Sequence, residues 1–195
     1  MRCLAGRRIR PTLDRVKEAV FSSLTPRLPG SRVLDLFAGS GALGIEALSR
    51  GAGSIDFIEM DREACALIRD NLAACGWAPS EGIRIIQRDA LPWISACGGG
   101  MGKAQGLAGA PGPAEGHTER RYDIILADPP HRKGFEEAAL DLLSQSALLS
   151  PQGILVLESD ARGLLPGKQG GLYLLKSKAY GGTKISYYLM GEDRD

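Results

Sequence analysis

The chain has 195 residues, 44% of them hydrophobic and 24% charged, with a net charge of +1. That length and composition supply one domain with a full core and exclude a globally disordered chain. No apolar run reaches membrane-span length, no apolar secretory segment opens the sequence, and four scattered cysteines with only two histidines argue against a structural zinc site. A cytoplasmic protein with reduced thiols, no metal and no membrane contact is therefore expected.

The charge is unevenly spread. Residues 1–32 hold eight basic and two acidic residues, so the remainder of the chain is acidic. A basic end on an acidic body suits contact with a polyanion, although an ordinary solvated terminus has the same composition.

The first predicted element is a helix from Leu13 to about Leu24, capped by Thr12, with Leu13, Val16, Val20 and Leu24 as its buried stripe. An apolar run, Val33 to Phe37, then reads as a buried strand, followed by the turn Ala38-Gly39-Ser40-Gly41 and a helix bearing Leu43, Ile45, Ala47 and Leu48 on one face. Gly51 closes that helix. This order is expected to leave free backbone N–H groups beside a crevice, with glycine at 39 and 41 letting a ligand approach the main chain. The spacing Gly39, Gly41, Gly44 also matches dinucleotide folds and, alone, a turn without a ligand. Asp35 inside the strand shifts the reading away from a dinucleotide.

Ser54–Glu59 is the second predicted strand and Asp61–Cys75 the next helix. Glu59 sits where an acid can accept from both ribose hydroxyls of a nucleoside, or simply favour a helix N-terminus. Ile83–Gln87 is the third strand; Asp89 after it either caps the next helix or accepts from an adenine amino group. Residues 98–120 contain eight glycines and two prolines and read as a flexible insertion. Tyr122–Ala127 is the fourth strand, Phe135–Leu149 a helix and Ile154–Glu158 the fifth strand. Leu172–Ser177 and Ile185–Met190 form a closing antiparallel pair through Tyr180-Gly-Gly-Thr183. The expected fold is a single α/β domain, a doubly wound, three-layer Rossmann-like sheet of about seven strands, mainly parallel with one reversed strand.

The fourth strand ends in Asp128-Pro129-Pro130-His131. Two prolines stiffen the backbone and remove two N–H donors, which leaves the Asp128 carboxylate and the Pro129 carbonyl as fixed acceptors. Such acceptors suit an exocyclic amine aimed at an electrophile, the geometry of amino methylation by a sulfonium donor, S-adenosyl-L-methionine. A nicotinamide oxidoreductase would need a catalytic Tyr-x-x-x-Lys on a helix. The only such spacing, Tyr180 to Lys184, spans two glycines.

These stretches resemble the class I methyltransferases of the RsmD type, bacterial enzymes that methylate a guanine N2 of 16S ribosomal RNA. The resemblance lies in Arg10-Pro-Thr-Leu-Asp-Arg-Val-Lys-Glu18, Asp35 through Ala52, Phe57-Ile-Glu-Met-Asp61, Asp128-Pro129-Pro130 and Tyr180-Gly-Gly-Thr183. It implies that Asp35, Phe37, Ala38, Gly39, Ser40, Gly41 and Gly44 surround the methionine part of the donor. It implies that Glu59 holds its ribose, that Asp89 and Ala90 lie near its adenine, and that Met60 also borders the donor. It assigns the target amine to Asp128 and Pro129, with Pro130 and His131 beside the base, and places Arg10, Thr12 and Arg132 on the substrate side. His131 stands where the family usually has Tyr or Phe, and only nine residues precede Arg10. The implied partner is 16S ribosomal RNA in the small subunit or a late precursor, met by a monomer. Taken alone, the residues leave guanine N2, adenine N6 and cytosine N4 open, as well as a DNA or protein-amide substrate and an RNA-binding relative without turnover.

Overall fold

The computed structural model describes residues 11–98, 121–130 and 134–191. The expectations placed on Arg10, His131, Arg132 and the insertion beyond Gly98 lie outside the described residues, as does the side chain of Thr12. The elements run α1 (Pro11–Leu24), β1 (Arg32–Leu36), α2 (Ala42–Ser49), β2 (Ser54–Glu59), α3 (Arg62–Ala74), β3 (Ile83–Gln87), α4 (Ala90–Gly98), β4 (Tyr122–Ala127), α5 (Phe135–Ser144), β5 (Leu149–Asp160), β6 (Lys168–Gln169), β7 (Leu172–Tyr180) and β8 (Thr183–Met190).

One sheet of eight strands has the order β3-β2-β1-β4-β5-β8-β7-β6. The first five are parallel; β8 runs antiparallel to β5, β7 to β8 and β6 to β7. β8 and β6 thus run against the other six strands, β8 lies inside the sheet, and the count exceeds the expected seven by β6. Its two polar residues carry no hydrophobic alternation to reveal a strand.

The sheet separates two apolar layers. Val16, Val20 and Phe21 of α1, Ile45 and Ala47 of α2, and Ile68 and Leu72 of α3 pack on one face. Trp93 and Ile94 of α4 and Leu140 and Leu143 of α5 cover the other. Each valine, leucine, isoleucine or phenylalanine among them stabilises the fold by roughly 1.5–3 kcal/mol when fully buried. β1 is buried at four of its five positions because it lies mid-sheet with helices on both faces.

Several boundaries differ from expectation for local reasons. α1 begins at Pro11, so Thr12 is inside the helix and not its cap; proline is well suited to the first helical position. α5 stops at Ser144 instead of Leu149, where the Ser146 hydroxyl donates back to the Leu143 carbonyl at 3.0 Å. β5 begins earlier than expected, because Leu149 pairs with Tyr122 before the register shifts past Pro151–Gly153. Gln152 there takes a left-handed φ of 61°. At Gly51 the expected helix end is found as a full Schellman turn, with Ala52 N–H donating to Ala47 O at 3.1 Å and Gly51 N–H to Leu48 O at 3.0 Å.

Gly44 shows how closely α2 lies on the sheet. A Cβ there would stand 2.8 Å from Phe57 Cζ and would also collide with Ile55 Cδ1. Gly44→Ala is therefore expected to cost about 1–3 kcal/mol through overpacking. Urea unfolding should read that loss, and a midpoint equal to that of the parent protein would refute the close approach.

Candidate active site

In this strand order the chain winds outward from β1 in one direction, to β2 and β3, and then in the other, to β4 and β5. The crevice outside the carboxyl ends of β1 and β4 is therefore the topological switch point, where open α/β sheets bind ligands. Asp35 lies near the end of β1, Glu59 at the end of β2 and Asp128 just past β4.

The turn between β1 and α2 is held in an unusual backbone. Phe37, Gly39 and Gly41 take left-handed φ values of 59°, 56° and 76°. For Phe37, a non-glycine, this conformation costs of order 1 kcal/mol or more. Its ring is retained by an edge contact with Phe135 at the start of α5, 6.1 Å between centroids at 84°. Ala38 N–H donates to Ile58 O at 3.0 Å and Gly41 N–H to Ala38 O at 2.7 Å. The Ser40 carbonyl accepts from Asn71 Nδ2 at 3.0 Å, and Asn71 is buried in α3. Gly39 N–H donates to Glu59 Oε2 at 2.7 Å, and Gly44 N–H to Asp35 Oδ2 at 2.9 Å.

Two expectations are corrected here. The N–H groups of Ala38, Gly39, Gly41 and Gly44 are not free to meet an anion, because each already has an acceptor within the fold. Gly41 is glycine for φ and for packing, since a Cβ there would sit 3.2 Å from Ile68 and 3.3 Å from Phe57. A dinucleotide pyrophosphate would find carboxylates at this turn rather than donors, which removes the electrostatic basis of the nicotinamide reading.

The acids define the site's charge. Asp35 is 1% exposed. Burial pushes its pKa well above the ordinary carboxylate range; the Gly44 N–H partly opposes this, and the nearby charges of Asp128 and Glu59 reinforce it. Glu59 is half-buried, with Oε1 accepting from Asp61 N–H at 2.9 Å while Oε2 holds Gly39. The carboxylate is thus fixed by two backbone donors, and each oxygen keeps a lone pair for another donor. Asp61 in turn caps α3, accepting from Ala64 N–H at 2.8 Å.

The other candidates divide. Met60 is 65% exposed beside Glu59. Asp89 is exposed and sits at the N-cap of α4, with Oδ1 3.3 Å from Leu91 N, while Ala90 is buried in the core. Asp128 is half-buried, Pro129 buried and Pro130 exposed. The switch point thus brings together Asp35, Glu59, Asp128 and the turn from Phe37 to Gly44; Asp89 and Ala90 follow β3, the strand beyond β2.

The sequence reading missed Asn71, which braces the turn from below. Its signal is a polar residue on the apolar stripe formed by Ala64, Cys65, Ile68 and Leu72. It also missed the left-handed Phe37, for which the sequence carries no signal.

Asp35 makes stability depend on pH. Its folded pKa is raised, so between pH 4 or so and that folded value the unfolded chain has released a proton that the folded chain keeps. The stability it contributes therefore falls as pH rises through that window. Asp35→Asn keeps an acceptor for Gly44 N–H and removes the titration. Urea unfolding between pH 5 and 8 should show the parent protein losing stability relative to the variant, whereas parallel pH profiles would contradict the raised pKa.

Residues 1–99 and 108–189 match the family model described as "Conserved hypothetical protein 95". A Bacillus subtilis protein named "Putative rRNA methyltransferase YlbH" is 32% identical over 188 residues, 96% of this chain and 91% of its own length. "Ribosomal RNA small subunit methyltransferase D" of Escherichia coli K12 is 32% identical over 181 residues, 93% of this chain and 78% of its own. The solved structure titled "Putative methyltransferase yhhF from Escherichia coli" superposes with a TM-score of 0.76 at 28% identity, covering 98% of each chain. The chain therefore belongs to the Conserved hypothetical protein 95 family, the RsmD group of Rossmann-like methyltransferases.

Proposed function

We propose that this protein transfers the methyl group of S-adenosyl-L-methionine to the exocyclic N2 amine of a guanine in 16S ribosomal RNA, acting as a cytoplasmic monomer on the small subunit or a late precursor. The observation that carries the reading is the convergence of Asp35, Glu59 and Asp128 on one crevice, where the N–H groups of Ala38, Gly39, Gly41 and Gly44 already have acceptors. An electronegative crevice fits a cationic nucleoside and disfavours a phosphorylated one. The names of the relatives support ribosomal RNA as the substrate. Acceptors alone serve any exocyclic amine, so the choice of guanine N2 in this reading rests on the family resemblance.

When bound, the donor supplies a sulfonium methyl. In this reading Asp35 draws its ammonium group, and Phe37, Ala38, Gly39, Ser40, Gly41 and Gly44 shape the space for its methionine chain. Glu59 offers its two remaining lone-pair directions to the ribose hydroxyls, and Met60 and Ala90 give apolar walls to the adenine. Asp89, whose second oxygen is not used in capping, accepts from the adenine amine.

Asp128 and the Pro129 carbonyl accept from the target N–H₂ and hold its lone pair toward the methyl. Asp128 then takes the proton the nitrogen sheds. Pro130 and His131 flank the base, and Arg10, Thr12 and Arg132 border the RNA. The base must be flipped or unpaired to reach this depth.

Asp128→Ala should lower turnover by more than about 100-fold, the scale for removing an electrostatic group aimed at the reacting atoms, while donor affinity measured by calorimetry changes little. Equal loss of both would contradict its role. Glu59→Ala should weaken donor binding by roughly 1.5–3 kcal/mol, and unchanged affinity would remove it from the site. The substrate is tested by incubating small subunits that lack the modification with labelled donor and mapping the product by mass. Label on a guanine N2 is expected; label on another atom or no transfer overturns the assignment.

A further inference from the structure

The antiparallel end of the sheet differs in charge from the rest of the chain. Residues 161–191 hold Arg162, Lys168, Lys176, Lys178 and Lys184 and no aspartate or glutamate, which leaves the remainder of the chain net acidic. We infer that the face of β7 turned toward α1, centred on Lys176 and Lys178, is an RNA-backbone contact that holds phosphates flanking the methylated nucleotide. This rests on the RNA methyltransferase reading above.

The inference starts from the register of β7. Leu174 pairs with Tyr188, and both lie in the apolar layer under α4 and α5. The register then shifts between Leu174 and Lys176, so that Lys176 pairs with Tyr187 and Lys178 with Ile185. Tyr187 and Ile185 belong to the opposite layer, the one under α1. Residues paired across a ladder share a face, and one extra residue turns every later side chain over. The bulge at Leu175 thus sends both lysines to the α1 side.

The two lysines are positioned without being neutralised. Lys176 Nζ donates to Ser23 Oγ of α1 at 3.2 Å and lies 4.4 Å from the Tyr187 ring centroid. Lys178 Nζ lies 5.2 Å from the Tyr180 ring centroid. Among the described residues these partners are neutral, and both lysines are exposed. Arg15, Ala19 and Ser23 form one row along α1, so the exposed Arg15 borders the same groove; Glu18 and Ser22 form the next row outward. The acids at the end of β5, Glu158 and Asp160, stand two strands from β7, about 10 Å away across β8.

Exposed cations on neutral supports, interleaved with tyrosine rings, fit a phosphodiester backbone, which binds by exchanging counterions for lysine and arginine. The place fits the same partner. Thr183 pairs with Asp160 on one side and Tyr180 on the other, so this end of β7 lies at the sheet edge that carries the crevice. β7 is three strands from β4, about 14 Å. An RNA whose base enters at Asp128 therefore brings neighbouring phosphates within reach of Lys178 and Lys176. Lysines on an outer strand also deter strand pairing, but that use needs no bulge to turn both of them to one face.

The test uses the full chain. Affinity for a fluorescent oligouridylate of about 20 nucleotides is followed by anisotropy across about 50–200 mM salt. Methylation of small subunits and donor affinity are measured alongside. The variants are Lys176→Gln with Lys178→Gln, Lys176→Arg with Lys178→Arg, and Arg69→Gln as a control on α3, which packs over β2 and β3 at the far side of the sheet. The glutamine pair should lose about tenfold in RNA affinity, with a salt slope shallower by about 1.4, the value for two contacts to a single strand. Its KM for small subunits should rise about fivefold or more, with kcat and donor affinity within about twofold. The arginine pair and Arg69→Gln should stay within about twofold of the parent, since the arginine pair keeps both charges and Arg69 is remote. An unchanged salt slope and KM in the glutamine pair, or an equal loss in Arg69→Gln, overturns the contact. So does a glutamine pair that loses binding to phosphatidylglycerol vesicles while keeping RNA affinity, since the face would then be a membrane contact. If the parent does not methylate small subunits, the substrate assignment falls separately, and the salt slope on oligouridylate then decides whether this face binds RNA.

Discussion

The Gly39 N–H donates to a Glu59 oxygen at 2.7 Å, and the other oxygen of the same carboxylate receives the Asp61 N–H at 2.9 Å. One side chain at the end of β2 thus holds the turn after β1 and the start of α3 together. Asp35 does the same for α2 through Gly44, and Asn71 holds the turn from the α3 side. Four donors of the glycine turn, the N–H groups of Ala38, Gly39, Gly41 and Gly44, are thus used internally. Glu59 and Asp128 bring carboxylates to the crevice, and in the proposed function that sign of charge favours a cationic nucleoside over a phosphorylated one.

Crowding acids at a strand end has a cost. Asp35 has almost no access to water, and its burial first, then the charges of Asp128 and Glu59, push its pKa well above the ordinary carboxylate range. A cation entering the crevice would relieve that cost, so the site gains binding strength from an arrangement that destabilises the empty fold. The left-handed Phe37 sits at the same place and is retained only because Phe135 and the Ala38–Ile58 hydrogen bond hold it. Strain and charge concentrate where the sheet changes winding direction, and the remainder of the sheet carries apolar packing on both faces. The family membership and the relatives' names agree with this physical picture without being needed to derive it.

Much of the architecture was legible because parallel strands buried on both faces are short apolar runs with clear ends. β2, β3 and β4 have the limits that hydrophobic patterning implies. Asp35, Glu59 and Asp128 were visible as acids at strand ends, a position the α/β fold turns into a site. The rest depended on tertiary contact. No local pattern distinguishes a glycine kept for ligand approach from Gly41, kept for Ile68 and Phe57. The end of α5 and the early start of β5 were obscured because Leu148 and Leu149 are apolar in either conformation and are buried in the same cluster. The consumption of the turn's N–H groups could not be read without knowing where Glu59 points.

The central claim is that the carboxyl ends of β1, β2 and β4 form one acid-lined crevice that receives the methyl donor. A crystal structure of the protein with S-adenosylhomocysteine tests it most directly. The account predicts ribose hydroxyls within hydrogen-bond distance of Glu59, the amino group beside Asp35, and the sulfur facing Asp128. A ligand bound elsewhere, or one lying across the turn with Glu59 uninvolved, would contradict it.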